Sequence, residues 1–160
     1  MTNYFFSMLK RQEQWAPLFL RLIIGFGFMA HGWAKLSNGS PAGFEKLLNF
    51  IGVPFPAFMS WAASIIELAG GFGIFVGFAV QITAIPLICT MLLAMFSIQM
   101  NYGFSSVKTI GLNALGPLFG PPGYEINLLY IAGLVSLMLT GAGKFSIDKM
   151  SVKKRGTLKV

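Results

Sequence analysis

Four stretches of this 160-residue chain are each long and apolar enough to cross a bilayer: residues 15–36, 57–78, 80–100 and 124–142. Crossing the hydrocarbon layer takes about 20 apolar residues in a helix. The fold class is therefore all-α, an integral membrane four-helix bundle in a single domain. Composition agrees: 55% of residues are hydrophobic, 11% are charged and mean hydropathy is +0.70. A soluble domain of this size could not bury that much apolar surface.

The net charge of +7 is not the footprint of a nucleic-acid binder, because the charges cluster at the chain ends. Lys10 and Arg11 precede the first span, and Lys144, Lys149, Lys153, Lys154, Arg155 and Lys159 follow the last, making eight of the twelve basic residues. The two loops on the opposite side carry only Lys46 and Lys108. By the positive-inside rule both termini are cytoplasmic. The first span is too long for a signal core, contains Arg21 and lacks a small-x-small cleavage site, so it should be retained. Cys89 is the single cysteine, which excludes an intrachain disulfide or dithiol centre.

Residues 3–14 mix aromatic and charged side chains and suit an interfacial entry, with Trp15 as anchor. Between the first two spans, Ser40-Pro41 reads as an N-cap followed by a first-turn proline, and Gly52 as the stop. Phe44, Leu47, Leu48 and Ile51 share one face of the intervening stretch, so a short amphipathic helix lies at the outer surface. Residues 77–81 join spans two and three directly. Residues 101–123 form a long outer loop, rich in glycine and proline yet apolar, expected to pack over the mouth of the bundle. Ser146 caps a short basic helix after the last span.

Against this background four ionisable residues stand out: Arg21, His31 and Lys35 in the first span and Glu67 in the second. Charges in hydrocarbon cost several kcal/mol unless paired or wetted, so they face the bundle interior and mark functional sites. At about 100° per residue, Arg21, His31 and Lys35 fall within an arc of roughly 80°, beside Gly25 and Gly32. Ser60, Ser64, Glu67 and Gly71 make the matching face of the second span. Glu67 lies about 15 Å in and His31 about 7–8 Å in from the outer end. Side chains lean toward their own helix N-terminus, which brings His31, Lys35 and Glu67 together in the outer half and lets Arg21 snorkel to the cytoplasmic interface. The structural alternatives are an ion pair with Lys35 or His31 for Glu67, an interhelical hydrogen bond for His31, simple snorkelling to the interface for Lys35, and an anchor or cytoplasmic pair for Arg21. Gln99 and Tyr102 at the end of the third span, and Glu125 at the start of the fourth, lie near the proposed mouth. Glu125 also suits a helix N-terminus through the dipole. Met91, Met95 and Met100 read as core filler rather than ligands. No metal-binding spacing, phosphate loop or nucleophile elbow is present.

Arg21-Leu22-Ile23-Ile24-Gly25, then His31-Gly32 and Lys35-Leu36, resemble the first-helix signature of the DoxX family. Gly52-Val53-Pro54, Glu67-Leu68-Ala69-Gly70-Gly71 and Gly77 resemble its second block, and Gly141-x-Gly143 followed by Phe145-Ser146-Ile147-Asp148 its ending. The resemblance covers nearly the whole chain and implies a four-helix membrane bundle. The family is named for a small subunit associated with thiosulfate:quinone oxidoreduction, so it also implies an oxidoreductase subunit. The expected function is binding of a quinone or similar apolar redox molecule between the first two spans. His31 and Lys35 would hold the headgroup and Glu67 would handle the proton. No motif for a bound flavin, haem or iron–sulfur centre is present, so electrons would come from a redox partner protein. The alternatives are a non-catalytic assembly module and a small-solute permease acting as a homo-oligomer.

Overall fold

The computed structural model describes residues 15–37 and 41–150. The entry segment 3–14, Ser40, and the basic residues at 10, 11 and beyond 150 lie outside the described residues. The elements, in order, are α1 (Ala16–Ser37), α2 (Ala42–Phe50), α3 (Pro56–Val76), α4 (Val80–Ser97), a 3₁₀ turn (Gln99–Tyr102), β1 (Thr109–Asn113), β2 (Gly116–Phe119) and α5 (Glu125–Thr140).

Helices α1, α3 and α4 are long and apolar enough to cross a membrane. The fourth, α5, has 16 residues, about 24 Å at 1.5 Å per residue. It is shorter than the run 124–142 suggests because Gly141, at φ 76°, turns the chain out of the helix. The expected short amphipathic helix is α2. Its end is a Schellman turn: Gly52 takes φ 77° and donates to Asn49 O at 3.1 Å, while Val53 N–H reaches Leu48 O at 2.9 Å. Leu48 is the buried contact of α2, whereas Leu47 and Phe50 point outward.

Helices α1 and α3 form the most extensive helix contact, and glycines make it close. A Cβ added at Gly25 would sit 2.7 Å from Gly71 O, and one at Gly32 would sit 2.6 Å from Leu68 N. The two backbones therefore touch where any side chain would separate them. Gly77 and Ala79, both left-handed, turn α3 into α4.

Burial divides the bundle into two unlike halves. The apolar core comprises Ile24, Phe28, Ile74, Val80, Ala84, Leu87, Leu134, Leu137 and Ala142, all in the half that holds the α3–α4 turn or at its edge. In the other half, buried apolar side chains are sparse (Leu48 and Met95), and Ser60, Ser64, Glu67 and Asn127 occupy the interior.

Segment 101–123 departs from its expected packing. It folds into an antiparallel hairpin, with Leu112 opposite Pro117 and Asn113 opposite Gly116. Ile110, Leu112, Leu115 and Phe119 are exposed, and neither strand packs substantially on a helix. Two strands joined by a tight turn pair with each other instead of closing over the bundle.

Candidate functional site

The close α1–α3 crossing carries Lys35 of α1 to Glu67 of α3. Lys35 Nζ donates to Glu67 Oε1 at 2.5 Å, a charge-assisted hydrogen bond. The carboxylate is 2% exposed, while the lysine side chain is a quarter exposed. Lys35 Nζ also sits 4.7 Å from the centre of the Phe44 ring on α2, within reach of cation–π attraction. The amphipathic helix thus covers the pair. Oxygen Oε2 of Glu67 is buried and has no hydrogen-bond partner among the described residues. An unmet buried acceptor costs about 1–3 kcal/mol, more when charged, so this oxygen calls for a donor beyond the described residues.

Beside Glu67, Ser64 Oγ donates to Ser60 O at 2.7 Å, and Ser60 Oγ donates to Ala57 O at 2.9 Å. Both hydroxyl protons are spent on their own helix, leaving oxygen lone pairs toward the interior.

His31 does not join this group. It is exposed, and its ring faces Tyr130 of α5 with 6.4 Å between centroids. The arc of roughly 80° on α1 spans two neighbours. Its Gly25–Gly32 side meets α3, while its Gly27–His31 side meets α5, where the absent side chain of Gly27 makes room for Tyr130 Oη.

Arg21 does not snorkel either. It is completely buried, and its Nη2 donates to the carbonyls of Lys144 and Phe145 at 3.1 and 3.2 Å. The chain after Gly141 folds back beneath it. Asp148 then accepts from Ala79 N at 2.7 Å and Val80 N at 3.2 Å, capping α4 from outside, while its own N–H bonds Gly77 O. Ser146 Oγ receives Lys149 N–H at 3.3 Å, the expected cap of the final turn. Arg21, Gly77 and Asp148 therefore form a latch at the far end from Glu67.

The remaining candidates lie at the outer rim. Gln99 Oε1 accepts from Asn127 Nδ2 at 3.0 Å, and the same amide reaches Met91 O at 3.2 Å. Asn127 was not singled out from the sequence, because it is uncharged; its place in an apolar helix was the available signal. Its Oδ1 is a second buried acceptor without a partner among the described residues. Glu125 Oε2 accepts from Ser106 N at 3.0 Å, and Ser106 Oγ accepts from Ile126 N at 2.9 Å, a reciprocal cap that fastens the hairpin base to α5. Tyr102 is exposed, and its backbone carbonyl accepts from Lys108 Nζ at 2.7 Å. A shallow groove of about 360 Å³ on the α1–α3 pair is lined by Met29, Ile65, Leu68, Ala69 and Phe72, all apolar. Lys35 and Glu67 are not part of its lining.

Comparison with known proteins places this geometry in a family. The DoxX family model matches residues 16–100, more than half of the chain and the whole α1–α3 crossing. Inner membrane protein YqjF of Escherichia coli is 29% identical over 146 residues, covering 91% of this chain and 99% of the relative. A Bacillus subtilis protein named "Putative oxidoreductase CatD" is 28% identical over 137 residues, covering 85% and 87%. "Uncharacterized membrane protein Rv3486" of Mycobacterium tuberculosis is 25% identical over 150 residues, covering 86% and 82%. No solved structure matches. With its glycine-packed apolar helices and this family match, the chain belongs to the DoxX family and is a multi-pass protein of the bacterial inner membrane.

Proposed function

We propose that this protein binds a quinone or similar small apolar redox molecule at the Lys35–Glu67 pair, as the membrane subunit of an oxidoreductase whose redox centre lies in a partner protein. The termini are cytoplasmic in this reading, so the site faces the outer half of the bilayer. The observation that carries it is the buried, unpartnered Oε2 of Glu67 next to a partly exposed ammonium. Lys35 supplies a donor to a headgroup carbonyl. Glu67 Oε2 accepts the hydrogen bond, and then the proton, of a headgroup hydroxyl. When a hydroquinone is oxidised to the quinone, two electrons leave to the partner, Glu67 takes one of the two protons and the other is released to water. The name of the Bacillus subtilis relative adds support for redox chemistry. His31, turned toward Tyr130, is not placed in this contact.

The completed Lys35–Glu67 bond favours a second reading, a non-catalytic assembly module in which the pair only joins helices. Mass spectrometry of organic extracts from gently purified protein separates the two. The binding reading predicts a quinone-class molecule in wild type that is lost in Glu67→Gln. Empty wild type together with a co-purifying protein partner that survives Glu67→Gln contradicts it.

A further inference from the structure

The hairpin at residues 109–119 is an unusual object to leave in water. Leu115 at its tip is 97% exposed and Leu112 is 80% exposed, and Ile110, Leu118 and Phe119 are open as well. Leu112 and Leu118 take adjacent register positions, paired with Pro117 and Gly111 respectively, so successive residues turn apolar side chains to opposite faces of the ribbon. An isolated two-stranded hairpin is at best marginally stable in water and needs a surface to cover it. Among the described residues no helix packs extensively against it.

Its base fixes where it emerges. Gly123 N–H bonds Ser105 O, Tyr124 N–H bonds Gly103 O, and Glu125 N–H bonds Phe104 O. These bonds tie the hairpin to the end of α4 and the start of α5. The helices expose apolar side chains, including Phe58, Trp61, Phe96 and Leu129, as helices that cross a membrane turn to lipid. The hairpin's apolar surface begins at the rim of that belt. Residues 101–124 contain no Asp or Glu and one basic residue, Lys108, so anionic headgroups do not repel the segment.

We infer that the 109–119 hairpin is a membrane-surface element that lies on the outer leaflet with Leu115 and Leu112 seated among lipid chains near the headgroups. Free strand edges are not tolerated in the hydrocarbon centre. At the headgroup level water still reaches the backbone while apolar side chains dip below it. The inference does not depend on what the Lys35–Glu67 site binds.

The test is site-directed spin labelling in bilayers of phosphatidylcholine and phosphatidylglycerol. Cys89, which is exposed, is first replaced by serine. Nitroxides are then placed separately at Leu115→Cys and Leu112→Cys, positions whose side chains are largely exposed. Power saturation with oxygen and with a water-soluble nickel chelate reads the surroundings. The expected result is a shift toward oxygen accessibility at both positions relative to free aqueous label. High accessibility to the nickel chelate at Leu115 overturns the inference. Low accessibility to both reagents also overturns it, by showing that protein, such as a second copy of the chain, covers the hairpin.

Discussion

Gly70 and Gly71 are neighbours in α3, yet the structure predicts opposite outcomes for the same substitution. A Cβ at Gly71 would lie 2.8 Å from Gly25 O, Met29 N and the Phe28 Cβ. Two of those atoms are backbone and cannot turn aside, so α1 and α3 must part by roughly 0.7–1.2 Å to reach ordinary contact near 3.5–4 Å. Overpacking of this kind costs about 1–3 kcal/mol, against about 1 kcal/mol gained from alanine's better helix propensity. The three atoms nearest a Cβ at Gly70 all belong to the Leu87 side chain, at 3.0 to 3.3 Å, and a shift of that side chain by a few tenths of an ångström relieves the contact. Gly70→Ala is therefore expected to be neutral or slightly stabilising, and Gly71→Ala destabilising. The gap between them is about 2 kcal/mol, roughly thirtyfold in the unfolding constant. Reversible unfolding in mixed detergent micelles, followed by circular dichroism, measures both. Because Gly71 lies one turn from Glu67, Gly71→Ala should also loosen the Lys35–Glu67 contact. Equal stability of the two variants would refute the backbone-to-backbone crossing.

The ion pair is asymmetric, and its two halves should not be equivalent. Lys35→Met leaves the buried Glu67 without a partner and should approach the 3–5 kcal/mol cost of a broken buried pair, whereas Glu67→Gln leaves a lysine that can turn outward and should cost about 1 kcal/mol; thermal melts in detergent compare them. At the other end, Gly77→Ala places a Cβ on Arg21 Nη1 at a left-handed position. A cost of at least about 1–2 kcal/mol is expected, along with faster tryptic cleavage at Lys144 and Lys149, read by limited proteolysis. Asn127→Leu removes the bridge to Gln99 and Met91 O and should lower stability by about 1–3 kcal/mol, measured by the same melts.

Three of the four expected spans, the amphipathic α2 and the Lys35–Glu67 meeting were legible in the sequence, because each follows from run length, helical period and side-chain lean. Glycine spacing on the two helices likewise announced their close approach. What the sequence did not reveal depends on neighbours supplied from far along the chain. Arg21 is buried because residues 144 and 145 fold beneath it, a contact across more than a hundred positions. His31 shares an arc with Lys35 but belongs to the α5 side, and a helical wheel cannot say where one partner ends and the next begins. The loop 101–123 was apolar enough to suggest a cover. Apolarity does not specify which surface meets it, and strand pairing took precedence.

The central claim is that Glu67 Oε2 is a ligand acceptor rather than one half of a closed ion pair. Equilibrium titration of a short-chain benzoquinol into purified protein in lipid nanodiscs, read by quenching of the native tryptophans, tests it directly. Wild type should bind saturably. Glu67→Gln should weaken binding about tenfold or more, since a hydrogen bond to a charged group is worth about 1.5–3 kcal/mol. Saturable binding of equal strength in the variant, or no saturable binding in well-folded wild type, would contradict the account.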